Sequence, residues 1–471
     1  MAATAPSSTS ITDLLPVDAK PPKSKTAAYY SIHPNWQDVE PIPQADQSGA
    51  LAPIAYAPRY AEAMSYLRAV MSENEISERA LALTEDLISM NPAHYTVWIY
   101  RMRILKGLWQ TAKAEDINVA QVMEIDDEDT ADKQAVSTSE TIDDDLWTSI
   151  QAELRWLEPI SFRNLKNYQI WHHRHALADL LPPDPQAAQI ASKDSPQQPS
   201  NERNKQILSS FVDSEQIFLA RILAHDIKNY HVWSYRQWLC SRLPSYLLPS
   251  YNVTPGTSAA LNYRTHPEVK ANDIMIEDDL RNNSAWSHRY FMLFGHQELN
   301  YAQAQTPPII LKEVNEKRLL HQAGLVDTQL VQAEIEFTKD EIRKAPQNAS
   351  TWNYLRGVLR HGDIDIASTK EFCEEFLGPG GDLWTDQWVK VEVENAETGE
   401  KKVEKQEIGV RSSHAIEWLS EISGKDGTEA GKKRSQECLK ALSEKWDIVR
   451  SGYWRYRVEK LEQESSQALS C

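Results

Sequence analysis

Glycine is scarce in this chain, with 16 among 471 residues. That scarcity disfavours sheet-rich folds with many tight turns, and the glycine loops that cradle phosphates. Cysteine is scarcer still. Cys240, Cys373, Cys438 and Cys471 form no C-x-x-C or Cys/His zinc spacing, which predicts free thiols in a reducing compartment and no metal site of the chain's own. No stretch reaches the ~20 apolar residues of a membrane-spanning helix. The opening "MAATAPSSTSITDLLPVDAKPPKSK" lacks the apolar core of a signal peptide, so a cytoplasmic protein is expected. Basic residues are outnumbered, 50 Lys and Arg against 68 Asp and Glu, for a net charge of -18. A chain of that sign is a poor partner for nucleic acid. Half of the excess sits in residues 124–145, with ten acids and one lysine. Such a run cannot bury a core and is expected as a solvated insertion.

What the chain has in abundance is tryptophan, 15 residues, and five of them mark a repeat. Aligned on Trp, the segments are "HYTVWIYRMRIL" (94–105), "NYQIWHHRHAL" (167–177), "NYHVWSYRQWL" (229–239), "NNSAWSHRYFML" (282–293) and "NASTWNYLRGVL" (348–359), with a weaker "GYWRYRVEKL" (452–461). Trp and Arg fall three apart, on one helix face, at Trp98/Arg101, Trp171/Arg174, Trp233/Arg236 and Trp286/Arg289. Leu355 breaks the rule in the fifth copy. The pairing suits a joint between neighbouring repeats, with a cation–π contact.

Each motif follows an amphipathic stretch. In "SEQIFLARILAHD" (214–226), Ser214 is expected as the helix N-cap with Glu215 in the first turn. Phe218, Leu219, Ile222 and Leu223 share one face. "SERALALTEDLISMN" (77–91) repeats that plan from Ser77. Within the motif, Val232, Tyr235 and Leu239 form a second stripe. Each copy is therefore a helix–turn–helix hairpin. The spacing between copies exceeds the roughly 34 residues of a bare two-helix repeat, so the gaps hold insertions, expected at about 111–145, 182–203, 245–270 and 362–413. These include the polar "VEVENAETGEKKVEKQE" (391–407), expected as loop. The expected fold is all-α, a right-handed solenoid of helical hairpins, TPR-like but without the tetratricopeptide signature. It would occupy 34–465 as a single domain after a disordered tail, 1–33.

The links before the second helices read "LKNYQ" (165–169), "IKNYH" (227–231), "LRNNS" (280–284) and "PQNAS" (346–350). Asn is a natural cap. Lys at a helix start opposes the helix dipole, yet beside phenol and imidazole donors it suits a phosphate. Lys166, Tyr168, Tyr230 and His231 are expected on one rim. "HHRH" (172–175) lacks the i, i+4 spacing of a helical zinc pair and is expected to pack. Lys228 copies Lys166 in sequence, with no argument for the same role.

"WQDVEPIPQ" (36–44), "RAVMSENEISERALALTEDLISMNPAHYTVW" (68–98), "KNYQIWHHR", "KNYHVWSYR", "RNNSAW" and "YWRY" (453–456) together resemble the α subunit shared by protein farnesyltransferase and protein geranylgeranyltransferase type I, over about 34–460. The resemblance implies a crescent of hairpins wrapped around a β subunit. It implies transfer of a farnesyl or geranylgeranyl group from its diphosphate to the Cys of a C-terminal Cys-aliphatic-aliphatic-X motif, on protein substrates such as small GTPases. Zinc would be held by the partner β subunit, with magnesium as an optional further ion. Lys166 would contact the diphosphate, with Tyr168, Tyr230, His231 and Asn229 on the same rim. Gln169 would meet the peptide's C-terminal carboxylate, and Tyr95 would approach the pocket for the last peptide residue. Cys471 has no residues after it, so the chain is not expected to be its own substrate. Two alternatives stay open from the sequence: the Rab geranylgeranyltransferase α subunit, and a non-catalytic helical scaffold.

Overall fold

The computed structural model describes residues 30–45, 54–123, 144–185, 202–249, 260–296, 298, 322, 324, 326–386, 388–394, 401–407 and 409–468. Most of the expected tail and most of the acidic run lie outside them. Tyr30 begins the described chain, and its hydroxyl donates to Asp86 at 2.9 Å. The chain divides into two compact units, Met1–Leu180 and Leu181–Cys471, where the sequence suggested a single repeat domain.

The N-terminal unit holds α1 (Pro58–Ser72), then α2 (Glu78–Met90) paired with α3 (Tyr95–Met123), and α4 (Asp144–Arg163) paired with α5 (Tyr168–Ala178). Ser77 caps α2, its Oγ accepting from the Ala80 amide. Trp36 is buried, with its ring edge-on to Tyr30 and Tyr66, so the "WQDVE" segment closes the core under α1. The C-terminal unit holds α6 (Glu202–His225) with α7 (Tyr230–Arg242), α8 (Pro267–Asp278) with α9 (Asn283–Tyr290), and α10 (Thr328–Lys344) with α11 (Ala349–His361). After a short helix at Lys370–Glu374 come α12 (Ser413–Lys425), α13 (Glu429–Ala441) and α14 (Ser451–Ala468). The class is all-α, and each Trp motif lies on the second helix of its hairpin.

Three expectations are corrected. Ser214 is no cap: α6 begins at Glu202, and the Ser214 hydroxyl donates back to the Phe211 carbonyl. The apolar face continues N-terminally through Ile207, Leu208, Phe211 and Val212, all buried, and this burial carries the helix through Ser214. The insertions are also not simply loops. Helix α3 runs on to Met123, and the 245–270 stretch holds the end of a short helix at Pro244–Leu247, a 3-10 helix at Ala260–Thr265 and the start of α8. The described parts of the polar stretch at 391–407 pair in an antiparallel ribbon of β1 (Trp388–Glu394) and β2 (Lys401–Glu407), with Trp388 opposite Glu407 and Glu394 opposite Lys401. Its first strand, "WVKVEVE", alternates with period two, the strand signal that the charge content obscures.

The motif tryptophans Trp98, Trp171, Trp233, Trp286 and Trp352 are all buried. In four of them the indole N–H donates to the carbonyl six residues earlier: Trp98 to Pro92, Trp233 to Ile227, Trp286 to Leu280 and Trp352 to Pro346, at 2.8–2.9 Å. That bond pins the turn of each hairpin to the helix that follows it and satisfies a polar group inside an apolar core.

The motif arginines do not chiefly face the tryptophans. Each of three reaches a buried glutamate on the first helix of the next hairpin. Arg101 grips Glu153 through Nε at 2.6 Å and Nη2 at 2.7 Å. Arg236 reaches Glu268 at 2.5 Å. Arg289 grips Glu334 at 2.6 and 2.7 Å. A residue twenty positions after the glutamate closes the cluster from the second helix: His173 on Glu153, His288 on Glu268 and Tyr354 on Glu334, at 2.6–2.8 Å. Tyr235 contacts Glu215 with the same separation, at 2.9 Å. Charge and hydrogen bonding outweigh burial at Glu153, Glu268 and Glu334, and hold all three carboxyls below the ordinary range. Cation–π contact is secondary. Arg101 lies 3.7 Å from the Trp156 ring centre and Arg289 4.4 Å from Phe337, whereas Arg236 is 5.5 Å from its own Trp233.

The departures from the pattern fit this logic. Ala80 stands twenty residues before Tyr100, where the other hairpins have glutamate. Among the described residues the α-helix before α2 is α1, which has no motif arginine, and the Tyr100 hydroxyl contacts the Val70 and Glu75 carbonyls instead. At the other end Leu355 is fully buried. The neighbour there is α12, and the cation moves one place on, with Arg356 reaching Glu421 at 2.6 Å.

Candidate functional site

The link residues are placed by the caps. Asn167 caps α5, its Oδ1 accepting from the Gln169 and Ile170 amides at 2.9 and 3.3 Å. Asn229 caps α7 through His231 N–H at 3.0 Å. Asn282 and Asn348 do the same for α9 and α11. With Asn as cap, the next residue becomes the first of the helix and projects from its end. That residue is Tyr168 or Tyr230, and Tyr95 opens α3 in the same position. Their side chains are 66%, 68% and 63% exposed. Large aromatic residues on the surface at the same place in three successive hairpins are unusual for packing, because exposure forgoes the burial energy of the ring. In the fourth and fifth hairpins that position is Asn283 and Ala349.

In the N-terminal unit, Lys166 is exposed and Gln169 half-buried, on either side of Tyr168. Tyr95 belongs to the same unit, and its turn is joined to that of α5, since Asn167 Nδ2 donates to the Pro92 carbonyl at 2.8 Å. In the C-terminal unit, the Tyr230 and His231 rings sit edge to face, 5.6 Å apart, with His231 half-buried. Asn229 differs from its expected role: its side chain is 1% exposed and occupied with the cap. Lys228 is paired with Asp279 at 3.2 Å, which gives it a use of its own, distinct from that expected of Lys166.

In "HHRH", His173 and Arg174 are buried, His175 is half-buried and His172 is exposed, so the expected packing holds for part of the motif. His173 is buried against Glu153, and burial pushes its pKa down, so the ring is neutral at pH 7. One trio among the described residues has ligand atoms close enough for a metal: Cys240, Glu268 and His288. It does not fit one. Glu268 Oε1 already accepts from Arg236 at 2.5 Å and pairs with His288 at 2.8 Å. The resident guanidinium supplies the balancing charge, and burial raises the Cys240 thiol pKa, opposing the thiolate that a metal requires.

The buried glutamates escaped the sequence reading. Their signal was present as an acid twenty residues before the second position after Trp171, Trp233, Trp286 and Trp352.

Protein prenyltransferase alpha subunit repeats match at 77–108, 150–181, 212–243, 266–295 and 331–362, which are the five hairpins. The chain belongs to the protein prenyltransferase α-subunit family. It is 28% identical to the protein farnesyltransferase/geranylgeranyltransferase type-1 subunit alpha of Candida albicans, over 91% of this chain and 97% of that one. The corresponding Schizosaccharomyces pombe subunit is 38% identical over 30% of this chain and 35% of its own length. Among solved structures, Candida albicans protein geranylgeranyltransferase-I complexed with GGPP superposes with a TM-score of 0.55 at 27% identity, covering 90% of this chain and 98% of that chain. The geranylgeranyl transferase type-2 subunit alpha of Bos taurus is more distant, 22% identical over 61% of this chain and 35% of its own length. No helix among the described residues is long and apolar enough to cross a membrane.

Proposed function

We propose that this chain is the α subunit of a heterodimeric protein prenyltransferase of the farnesyl/geranylgeranyl type-1 class. The complex would transfer a farnesyl or geranylgeranyl group from its diphosphate to the Cys of a C-terminal Cys-aliphatic-aliphatic-X motif. The observation that carries this reading is the near full-length correspondence with a type-1 α subunit, 97% of that chain, set against 35% of the type-2 subunit. The surface tyrosines and Lys166 support it, because a plain scaffold gains nothing from exposing them.

When the bond between the isoprenoid carbon and the diphosphate oxygen breaks, negative charge grows on the leaving group. In this reading the Lys166 ammonium and the Tyr168 hydroxyl act as donors to that charge, and the Tyr230 hydroxyl and the His231 imidazole are proposed as donors on the same chemical grounds. Donors aimed at developing charge act mainly in the transition state, and removing one costs about 10²–10³ in kcat. Gln169 would bind the peptide's terminal carboxylate, and Tyr95 would contact its last side chain. Asn229 would set the helix end that presents Tyr230 and His231. The reading places zinc on the partner β subunit, where it would hold the peptide thiol as thiolate, and magnesium remains an optional ion on the diphosphate. The location proposed is cytoplasmic.

The test is capture of the partner with the tagged full-length chain. A β subunit of the farnesyl or geranylgeranyl type-1 class is expected. Recovery of a Rab-type β chain alone would replace this reading with the type-2 one.

A further inference from the structure

The turns of the hairpins carry a hydrogen bond that neither the caps nor the tryptophans require. The Pro92 carbonyl accepts twice: from the Trp98 indole at 2.8 Å, and from Asn167 Nδ2 at 2.8 Å, 75 residues away. The same arrangement recurs in the C-terminal unit. The Leu280 carbonyl accepts from the Trp286 indole at 2.9 Å and from Asn348 Nδ2 at 2.6 Å. The Pro346 carbonyl accepts from Trp352 at 2.9 Å and from Ser412 Oγ at 2.6 Å, and Ser412 is itself the cap of α12. At these three joints the cap of one helix is thus stapled to the turn of the hairpin before it, whereas Asn282 Nδ2, at the start of α9, makes no such bond. The side-chain oxygen of Asn holds its own helix end, while its nitrogen fixes the distance to the neighbouring turn.

At one of these joints the stapled residue stands between two that the function needs. Asn167 lies between Lys166 and Tyr168, and Pro92 lies three residues before Tyr95. We infer that Asn167 is a positioning residue for the transfer reaction: the hydrogen bond its Nδ2 donates to the Pro92 carbonyl sets the spacing between the Tyr95 turn and the Lys166–Tyr168 turn. This rests on the proposed function of Lys166 and Tyr168. The deeper tie between the same two hairpins is Glu153, which receives Arg101 from α3 and His173 from α5. That tie lies six residues beyond Tyr95 and five beyond Tyr168. It fixes the helix bodies and leaves the orientation of the ends to Asn167. A misplacement of about 1 Å at a reacting centre can cost 10² in rate.

The equivalent bond at Asn348 lies next to Ala349, away from any residue given a role in the reaction, and is the internal control. Asn167→Gly and Asn348→Gly each remove the staple while leaving a tolerable cap residue. Both would be co-expressed with the β subunit and assayed with geranylgeranyl diphosphate and a Cys-aliphatic-aliphatic-Leu peptide, alongside Lys166→Ala. Similar losses of melting temperature are expected for the two Gly variants. A kcat lowered about ten-fold or more, with the peptide KM changed less, is expected for Asn167→Gly alone. If Asn167→Gly fails to assemble, Asn167→Asp, which caps as well as Asn but has no donor, carries the same expectation. Equal kcat losses in the two Gly variants, or none in Asn167→Gly, would overturn the inference. Undiminished activity of Lys166→Ala would instead remove the reading beneath it, so the two failures are distinguishable.

Discussion

The buried ion clusters make a quantitative claim that Arg289→Met tests. Arg289 and Glu334 are both fully buried. The guanidinium makes two bonds to Glu334, at 2.6 and 2.7 Å, and one to Asp273 at 2.5 Å. Removing it leaves a buried carboxylate without its cation, a change that costs about 3–5 kcal/mol. The Tyr263 and Tyr354 hydroxyls still donate to Glu334, which favours the lower end, about 3 kcal/mol. At about 2–4 °C per kcal/mol for a unit of this size, the melting temperature should fall by about 6–12 °C. Arg356→Met is the matched comparison. Its partner Glu421 is just as close, at 2.6 Å, but both side chains are about a quarter exposed. That pair is worth about 0–1 kcal/mol, and its loss should move melting by less than about 4 °C. The double variant Arg289→Met/Glu334→Gln should recover more than half of the Arg289→Met loss, because no unpaired charge remains buried. Thermal unfolding followed by circular dichroism reads all three. Equal losses for Arg289→Met and Arg356→Met, or a double variant worse than either single, would refute the reasoning.

Stability should also depend on acid in two stages. His173 and His288 have pKa values pushed down by burial. The unfolded chain therefore binds more protons below about pH 6.5, and stability present above that pH is lost as pH falls towards the folded values. Glu153, Glu268 and Glu334 have lowered values too, which adds a second loss below about pH 4.5. Melting measured from pH 8 to 4 should be flat to about 6.5 and then decline, and a decline beginning only near pH 4 would contradict the histidine part. Trp286→Ala should cost about 3–5 kcal/mol, since it empties a fully buried site and removes one of the two donors to the Leu280 carbonyl. Tyr168→Phe and Tyr230→Phe should leave melting within about 1 °C, because both rings are two-thirds exposed, while lowering kcat of the assembled enzyme. Unchanged kcat in both would remove the tyrosines from the mechanism.

The hairpins were legible because tryptophan recurs in every copy, four residues after an Asn in the last four of the five, and buried faces such as Phe218, Leu219, Ile222 and Leu223 leave an unambiguous stripe. Helix ends were less legible. Ser214 looks like a cap, but the decision belonged to Ile207, Leu208 and Phe211 upstream, whose burial outweighs a local preference of about 1 kcal/mol. The role of Arg was half legible. Its spacing from Trp identified a shared face, but its real partner lies 32–52 residues away, and no local pattern contains that pairing. Among the site residues, the exposure of Tyr95, Tyr168 and Tyr230 follows from their position just after a cap. The burial of Asn229 follows from the same geometry, and it turns an expected ligand contact into a cap.

The measurement that tests the central claim most directly is prenyl transfer by the purified chain, alone and co-expressed with a type-1 β subunit. The assay uses a labelled isoprenoid diphosphate and a Cys-aliphatic-aliphatic-X peptide, with Lys166→Ala as the internal probe. No transfer by the chain alone is expected, then transfer by the complex, reduced about 10²–10³-fold in kcat by Lys166→Ala with the heterodimer intact. Transfer by the chain alone, or an inactive complex with correctly assembled subunits, would contradict the account.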